Sequence, residues 1–277
     1  MKGKVVLITG ATSGIGKAAA LALARQGATV VFTSRDEAKG KAVQKELSDA
    51  TSNPNIEMLP CDLASLQSIR QFCDEFRRRH DRLDVLINNA GVWTYKRQVS
   101  KEGIELTLAV NVLAPFLMTD LLLDLLKKSA PSRIVSTSSG LHYGTINFED
   151  MEAKKFNGAR AYRQSKLGLL LFTRLLAKRL EGSGVTVNAM LPGMVKTDLG
   201  REAGGFSRAM FKMMGTTPEK GADTIVYLAS SPELEKVTGE CFVKRMVKKT
   251  SKESCNMALA QRFWDVCEEY LKQRGGL

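Results

Sequence analysis

Short runs of consecutive apolar residues recur along the chain and alternate with longer segments in which apolar positions return every three or four residues. Val5-Val6-Leu7-Ile8, Val30-Val31-Phe32 and Val85-Leu86-Ile87 carry no polar alternation, the pattern of strands covered on both faces. These runs predict strands over residues 4–9, 29–33, 56–60, 85–88, 133–137 and 185–190, with a short seventh at 240–243. Helical periodicity predicts helices over 16–26, 36–50, 65–79, 103–128 and 159–182. Asp36 and Ser65 stand where N-caps belong, and Gly27 and Gly182 where helices should stop. Strand and helix in alternation predict an α/β fold: one doubly wound parallel sheet of about seven strands, with helices on both faces.

Composition adds limits rather than detail. The chain has 277 residues, 44% hydrophobic and 25% charged, which excludes collagen-like, low-complexity and wholly disordered classes and suits a single domain over 1–277. No apolar run is expected to reach the roughly 20 residues a membrane span needs. The longest stretches, 121–126 and 167–176, are cut by Asp124, Lys127, Arg174 and Lys178. Lys2 and Lys4 lead straight into a strand rather than a secretory signal, so a cytoplasmic protein is expected. Five cysteines without a C-x-x-C pair, and only two histidines, predict free thiols and no metal site. A net charge of +12 would attract polyanions but says little about chemistry.

The first site signal is Thr9-Gly-Ala-Thr-Ser-Gly-Ile-Gly16, between the first strand and the first helix. Gly10, Gly14 and Gly16 would let the backbone turn tightly and approach a pyrophosphate, while the helix start at Thr12, Ser13 and Ile15 offers free N–H groups. That makes the fold a Rossmann-type one. At the end of the second strand, Ser34-Arg35 replaces the carboxylate that usually receives an unphosphorylated adenosine ribose. A hydroxyl beside a guanidinium suits a 2′-phosphate, so NADP(H) is the expected cofactor. Asp36 is assigned to capping the next helix.

The second signal is Tyr162 with Lys166, spaced i, i+4 and therefore on one helix face. A phenol titrates near ~10 unperturbed, and a neighbouring ammonium is expected to lower that value and make Tyr162 a usable acid or base.

Taken together and in chain order, several motifs resemble the short-chain dehydrogenase/reductase family, in its TGxxxGxG and YxxxK branch. They are the glycine turn, Cys61-Asp62-Leu63, Asn88-Asn89-Ala90-Gly91, Asn111, Ser138-Ser139, Tyr162 with Lys166, and Pro192-Gly193 followed by Val195 and Thr197. The resemblance implies a hydride-transferring enzyme with Asn111, Ser139, Tyr162 and Lys166 as its catalytic set. Tyr162 would protonate a carbonyl oxygen and Ser139 would hydrogen-bond it. Lys166 would hold the nicotinamide ribose and lower the Tyr162 pKa, and Asn111 would hold a relay water. Asp62 and Leu63 would meet the adenine. Asn88, Asn89, Ala90 and Gly91 would line the adenosine side, and Pro192, Gly193, Val195 and Thr197 the nicotinamide end. Ser138 stays an alternative to Ser139, because either could be a strand-end hydroxyl bonding to backbone.

The 23 residues from Ser139 to Tyr162 and the tail around Gly239 are similar to the retinol dehydrogenase-like branch. That likeness implies an NADPH-preferring oxidoreductase for a small apolar carbonyl or alcohol, retinol dehydrogenase-like or carbonyl reductase-like, and assembly as a homo-dimer or homo-tetramer. A Met/Phe-rich insert near 198–217 reads either as a lid over an apolar pocket or as packing on the sheet edge. Trp93, Tyr95, His142 and Tyr143 fall beside the pocket without a chemical step. The tail over 244–277 is basic, then helical. With no aromatics among its lysines it reads as a solvated face rather than a nucleic-acid surface, with membrane contact at most peripheral. The rival from another class is an NADP(H)-binding sensor without turnover.

Overall fold

Side chains of the first strand, β1 (Val5–Ile8), divide between two cores: Val5 and Leu7 enter one, Val6 and Ile8 the other. The same division recurs in β2 (Thr29–Ser34), where Val31 and Phe32 face opposite ways, and in β5 (Ser132–Thr137), with Ile134 and Val135. This is why these strands read as unbroken apolar runs. The structure, a computed structural model, describes residues 1–193 and 216–275. With β3 (Ile56–Pro60), β4 (Val85–Asn88), β6 (Val185–Met190), β7 (Cys241–Val243) and β8 (Met246–Val247), one sheet forms in the order β3-β2-β1-β4-β5-β6-β7-β8. The first seven strands are parallel, and β8 folds back antiparallel on β7. The eighth strand is one more than the pattern predicted, because its two exposed residues carry no buried-strand signal.

One face of the sheet carries α1 (Gly14–Arg25), α2 (Glu37–Thr51) and α6 (Pro218–Ser230). The other carries α3 (Leu66–Arg79), α4 (Leu106–Lys128), α5 (Gly158–Arg179) and α7 (Met257–Gln273). Asp36 and Ser65 cap α2 and α3 as their positions predict, accepting from Lys39 N and Ser68 N. The helix expected from residue 103 begins at Leu106. Glu105, buried, accepts from Thr107 N (2.9 Å) and Leu108 N (2.8 Å), which fixes the start there. The periodicity reading had no separate helix at 218–230, although Thr217 caps it and Pro218 opens it.

A further correction concerns membrane-crossing length. By length and composition the 23 residues of α4 are long and apolar enough to span a bilayer. Most of them are buried against the sheet and neighbouring helices, so their hydrophobicity is that of a core helix. Within α4, residues Ala109–Leu113 form a π-helical turn, a local widening often found at functional sites, and Asn111 lies in it.

A gap in α5 admits α7. A Cβ on Gly168 would meet the Phe263 ring within 2.9 Å, and Phe263 is fully buried. Alanine would gain about 0.5–1 kcal/mol of helix propensity but overpack a site that cannot yield, at about 1–3 kcal/mol. Gly168→Ala is therefore expected to destabilise the protein, measured as a lower denaturant midpoint; a raised midpoint would refute this packing.

Candidate active site

All seven parallel strands point their C-terminal ends to one edge, and the order reverses between β1 and β4. A crevice opens at such a switch point. There Gly10 adopts φ +70° and its Cα lies against Ala90, so a side chain would collide with Ala90 Cα at 2.8 Å. A Cβ on Gly16 would come within 2.9 Å of the Gly10 carbonyl carbon. The Asn89 side chain holds the turn, donating to Thr9 O (2.9 Å) and Gly10 O (3.3 Å), while the Thr9 hydroxyl accepts from Asn89 N and Ala90 N, both at 3.0 Å. Asn89 is thus committed to shaping the turn.

Behind it, α1 differs from the other described helices. Ser13 sits at its N-cap with no side-chain capping bond, and no acidic residue lies in its first turn. The starts of α2, α3, α4, α5, α6 and α7 are all capped by side chains. An uncapped N-terminus beside a turn opened by glycines fits a phosphate group. Thr12 and Ser13 are half-buried on the turn, whereas the Ile15 side chain enters the core and leaves only its backbone for the cleft.

Ser34 is buried and donates to Asp36 O at 2.7 Å. Arg35 is exposed and, among the described residues, meets no acid. Asp62 is half-buried and accepts from Ala64 N at 3.0 Å. Leu63 lines a small cavity with Thr9, Asn88 and Ala90, next to the glycine turn. Asn88 itself points into the protein, donating to Thr119 Oγ1 at 3.3 Å. Pro192 and Gly193 follow β6 at the same edge, Gly193 with φ +71°. Val195, Thr197 and most of the expected lid near 198–217 lie outside the described residues.

Tyr162 and Lys166 project from α5, both buried, with Lys166 Nζ 5.7 Å from the phenol ring centroid. Lys166 Nζ donates to Thr137 O at 3.0 Å, at the end of β5. The two serines that follow β5 separate clearly. Ser138 is buried and donates to Lys166 O at 2.8 Å, tying strand to helix. Ser139 acts on the Tyr162 phenol, favouring its ionised form, and its hydroxyl accepts from Leu141 N at 3.1 Å. Asn111 is fully buried. Its amide donates to Val92 O (2.9 Å) and Ser165 Oγ (3.0 Å) and its carbonyl accepts from Val92 N (2.8 Å), so the side chain fastens the Gly91-Val92 loop to α5. Gly91 leaves room for this pair, since a Cβ there would press on Lys166 Nζ at 3.3 Å.

The charge states differ from the expectation that Lys166 lowers the phenol pKa. Burial pushes Tyr162 up to about 12, only partly opposed by Ser139. Burial likewise pushes Lys166 down to about 8. Both groups resist charging because water is excluded from both, so at pH 7 the phenol keeps its proton.

Two features carry no motif. Trp93 stacks on the Tyr162 ring (4.6 Å between centroids, 11°) and Tyr95 stacks on Trp93 (6.0 Å, 8°), forming an aromatic wall against the phenol. The buried Trp93 indole nitrogen has no hydrogen-bond partner among the described residues. His142 Nδ1 lies 2.7 Å from Ser139 O, which makes it the protonated nitrogen, and Nε2 accepts from Ser251 N at 3.3 Å. The loop carrying Ser139 is thereby tied to the C-terminal segment. Aromatic residues just past Asn88-Asn89-Ala90-Gly91 and Ser138-Ser139 were the only available signal.

Lys166 carries a stability cost with a definite sign. Its folded pKa, about 8, lies below the ordinary lysine value of 10.5. The unfolded chain therefore binds more protons between those values, and stability rises with pH across that window. Lys166→Met is expected to stabilise the protein at pH 7 by about 1–3 kcal/mol and to flatten that rise, read by denaturant titration at pH 7 and 10. A loss of stability at pH 7 would contradict it.

Residues 4–208 match the family model for short chain dehydrogenases. The chain is 43% identical to retinol dehydrogenase 14 of Mus musculus over 97% of its own length and 86% of that protein. Among solved structures, an uncharacterized protein from Mycobacterium Paratuberculosis superposes with a TM-score of 0.80 at 31% identity, covering 98% of this chain and 94% of that one. A short chain dehydrogenase from Burkholderia cenocepacia J2315 in complex with NADP superposes with a TM-score of 0.71 at 28% identity, covering 87% and 96%. The glycine turn, the buried tyrosine–lysine pair and these matches agree, and the chain belongs to the short-chain dehydrogenase/reductase family, with relatives of the retinol dehydrogenase type.

Proposed function

We propose that this oxidoreductase transfers a hydride between NADP(H) and the carbonyl or alcohol carbon of a small apolar aldehyde, ketone or alcohol, working toward reduction where NADPH is plentiful. The observation that carries the reading is a buried phenol on α5 with a buried lysine beside it, at the sheet edge that holds Ser139 and the uncapped glycine turn. The nicotinamide, when bound, supplies or accepts the hydride.

The chain's own residues do the rest. The turn from Gly10 to Gly16 and the α1 N-terminus hold the pyrophosphate. Arg35 would hold the 2′-phosphate, the Ser34 hydroxyl being turned to Asp36 O instead, with Asp62 and Leu63 at the adenine, Ala90 and Gly91 at the adenosine side, and Pro192, Gly193, Val195 and Thr197 at the nicotinamide end. Tyr162 gives its proton to the carbonyl oxygen as the carbon is reduced, and Ser139 donates to that same oxygen, so the developing charge meets two fixed donors. Lys166, charged below about pH 8, steadies the phenolate left behind. Asn111 acts through Val92 and Ser165, holding the loop and α5 together.

NADP(H) is supported by the guanidinium of Arg35, which meets no acid among the described residues, and by Asp36, whose carboxylate caps α2. An apolar substrate is supported by the Trp93–Tyr95 wall and by the retinol named in the relative.

Tyr162→Phe is expected to lower the rate of NADPH-dependent aldehyde reduction by about 10²–10⁴-fold and to leave NADPH affinity nearly intact. A wild-type rate would refute the assignment, and unchanged binding without any turnover in the wild type would favour a sensor. Arg35→Ala should weaken NADPH by roughly 10–100-fold, the loss of a charge-assisted bond, with little change for NADH. Equal losses measured by fluorescence titration would mean that Arg35 does not choose the cofactor.

A further inference from the structure

The basic tail, read from its sequence as a solvated face, gains a different meaning once β7 and β8 are in place. Their hairpin exposes six consecutive residues, Lys244-Arg245-Met246-Val247-Lys248-Lys249. Met246 is 68% and Val247 58% exposed, the two most exposed large apolar side chains among the described residues. Nothing in an isolated sequence shows that these two are uncovered, because Phe242 and Cys241 just before them are buried.

The hairpin is also fixed in place and located. Val243 pairs with Met246, so Lys244 and Arg245 alone make the turn, with φ of +48° and +63°, a left-handed conformation that favours glycine. Arg245 anchors it to α6, pairing with Asp223 (Nε to Oδ2 2.7 Å) and lying over the Tyr227 ring. Because β7 runs parallel to β6, its C-terminal end and this turn lie at the sheet edge that carries the glycine turn, Ser139 and Gly193. An exposed aromatic joins the same region: Tyr143, 53% exposed, adjoins His142, which receives Ser251 N two residues beyond Lys249. Lys244, Lys248, Lys249 and Lys252 are exposed and, among the described residues, have no acidic partner.

We propose that this hairpin docks the protein on an anionic lipid surface, with Met246 and Val247 entering the interfacial layer and Lys244, Lys248, Lys249 and Lys252 facing acidic headgroups. Apolar tips among lysines, with a tyrosine at their margin, match the chemistry of a membrane interface, whereas a nucleic-acid surface has no use for exposed Met and Val. Docking there turns the mouth of the cleft toward the phase in which apolar aldehydes and alcohols dissolve. The docking itself does not depend on the proposed chemistry.

The experiment is co-sedimentation of the full chain with vesicles of mixed phosphatidylserine and phosphatidylcholine, or of phosphatidylcholine alone, at low and physiological ionic strength. Binding to the mixed vesicles is expected, weakened by salt and much weaker on phosphatidylcholine alone. Lys248→Glu with Lys249→Glu should lower the partition coefficient by at least about five-fold for each lysine. Met246→Ser with Val247→Ser should lower it while leaving turnover of a water-soluble aldehyde unchanged, which separates failure of docking from failure of the enzyme. Absence of binding to mixed vesicles at low salt overturns the proposal. So does binding that neither double variant alters, or duplex DNA binding that is lost with the lysines while the serine pair leaves vesicle binding untouched.

Discussion

Everything chemical in this molecule depends on holding an amine where water does not reach. Lys166 is buried, and burial alone brings its pKa down to about 8. A lone ammonium in such a place is tolerated only because the backbone offers it an acceptor, the Thr137 carbonyl at the end of β5. That bond, together with Ser138 donating to Lys166 O, makes the end of β5 and the middle of α5 one unit. Tyr162 and Ser139, which must meet a single substrate oxygen, are carried by those same two elements.

Around that unit the same constraint recurs as a set of braces. Asn111 uses the widened turn of α4 to reach both Val92 and Ser165, joining the β4 loop to α5. Asn89 ties that loop to the glycine turn through Thr9 and Gly10. His142 ties the Ser139 loop to Ser251. Each is a polar side chain satisfied by backbone groups of a neighbouring segment, so the cleft is lined by loops that cannot shift independently. The α1 N-terminus is the opposite case: its donors are left uncapped at the crevice, the condition for meeting a phosphate.

Much of this was legible in the chain. Unbroken apolar runs announced strands with two covered faces, and Asp36 and Ser65 announced the starts of α2 and α3, because these signals are local. The glycine turn and the Tyr162–Lys166 spacing were legible for the same reason: close backbone approach and one turn of helix are properties of a few adjacent residues. The start of α4 was misplaced because Glu105 caps it while buried, a position where a carboxylate looks improbable until its two backbone donors are seen.

The sequence by itself determined the order of strands and helices, the bare turn, and the residues able to carry a proton. Tertiary structure alone decided which of Ser138 and Ser139 is tied to the α5 backbone and which is left to act on the phenol, since both follow β5 and only the packing of α5 distinguishes them. It also decided the charge states, because desolvation is set by everything that surrounds a group, and burial outweighed the opposing influence of Ser139 at Tyr162. The Trp93 stack and the uncovered Met246 and Val247 belong to the same class. Exposure and long-range contact arise from segments far apart in the chain, and no local pattern encodes them.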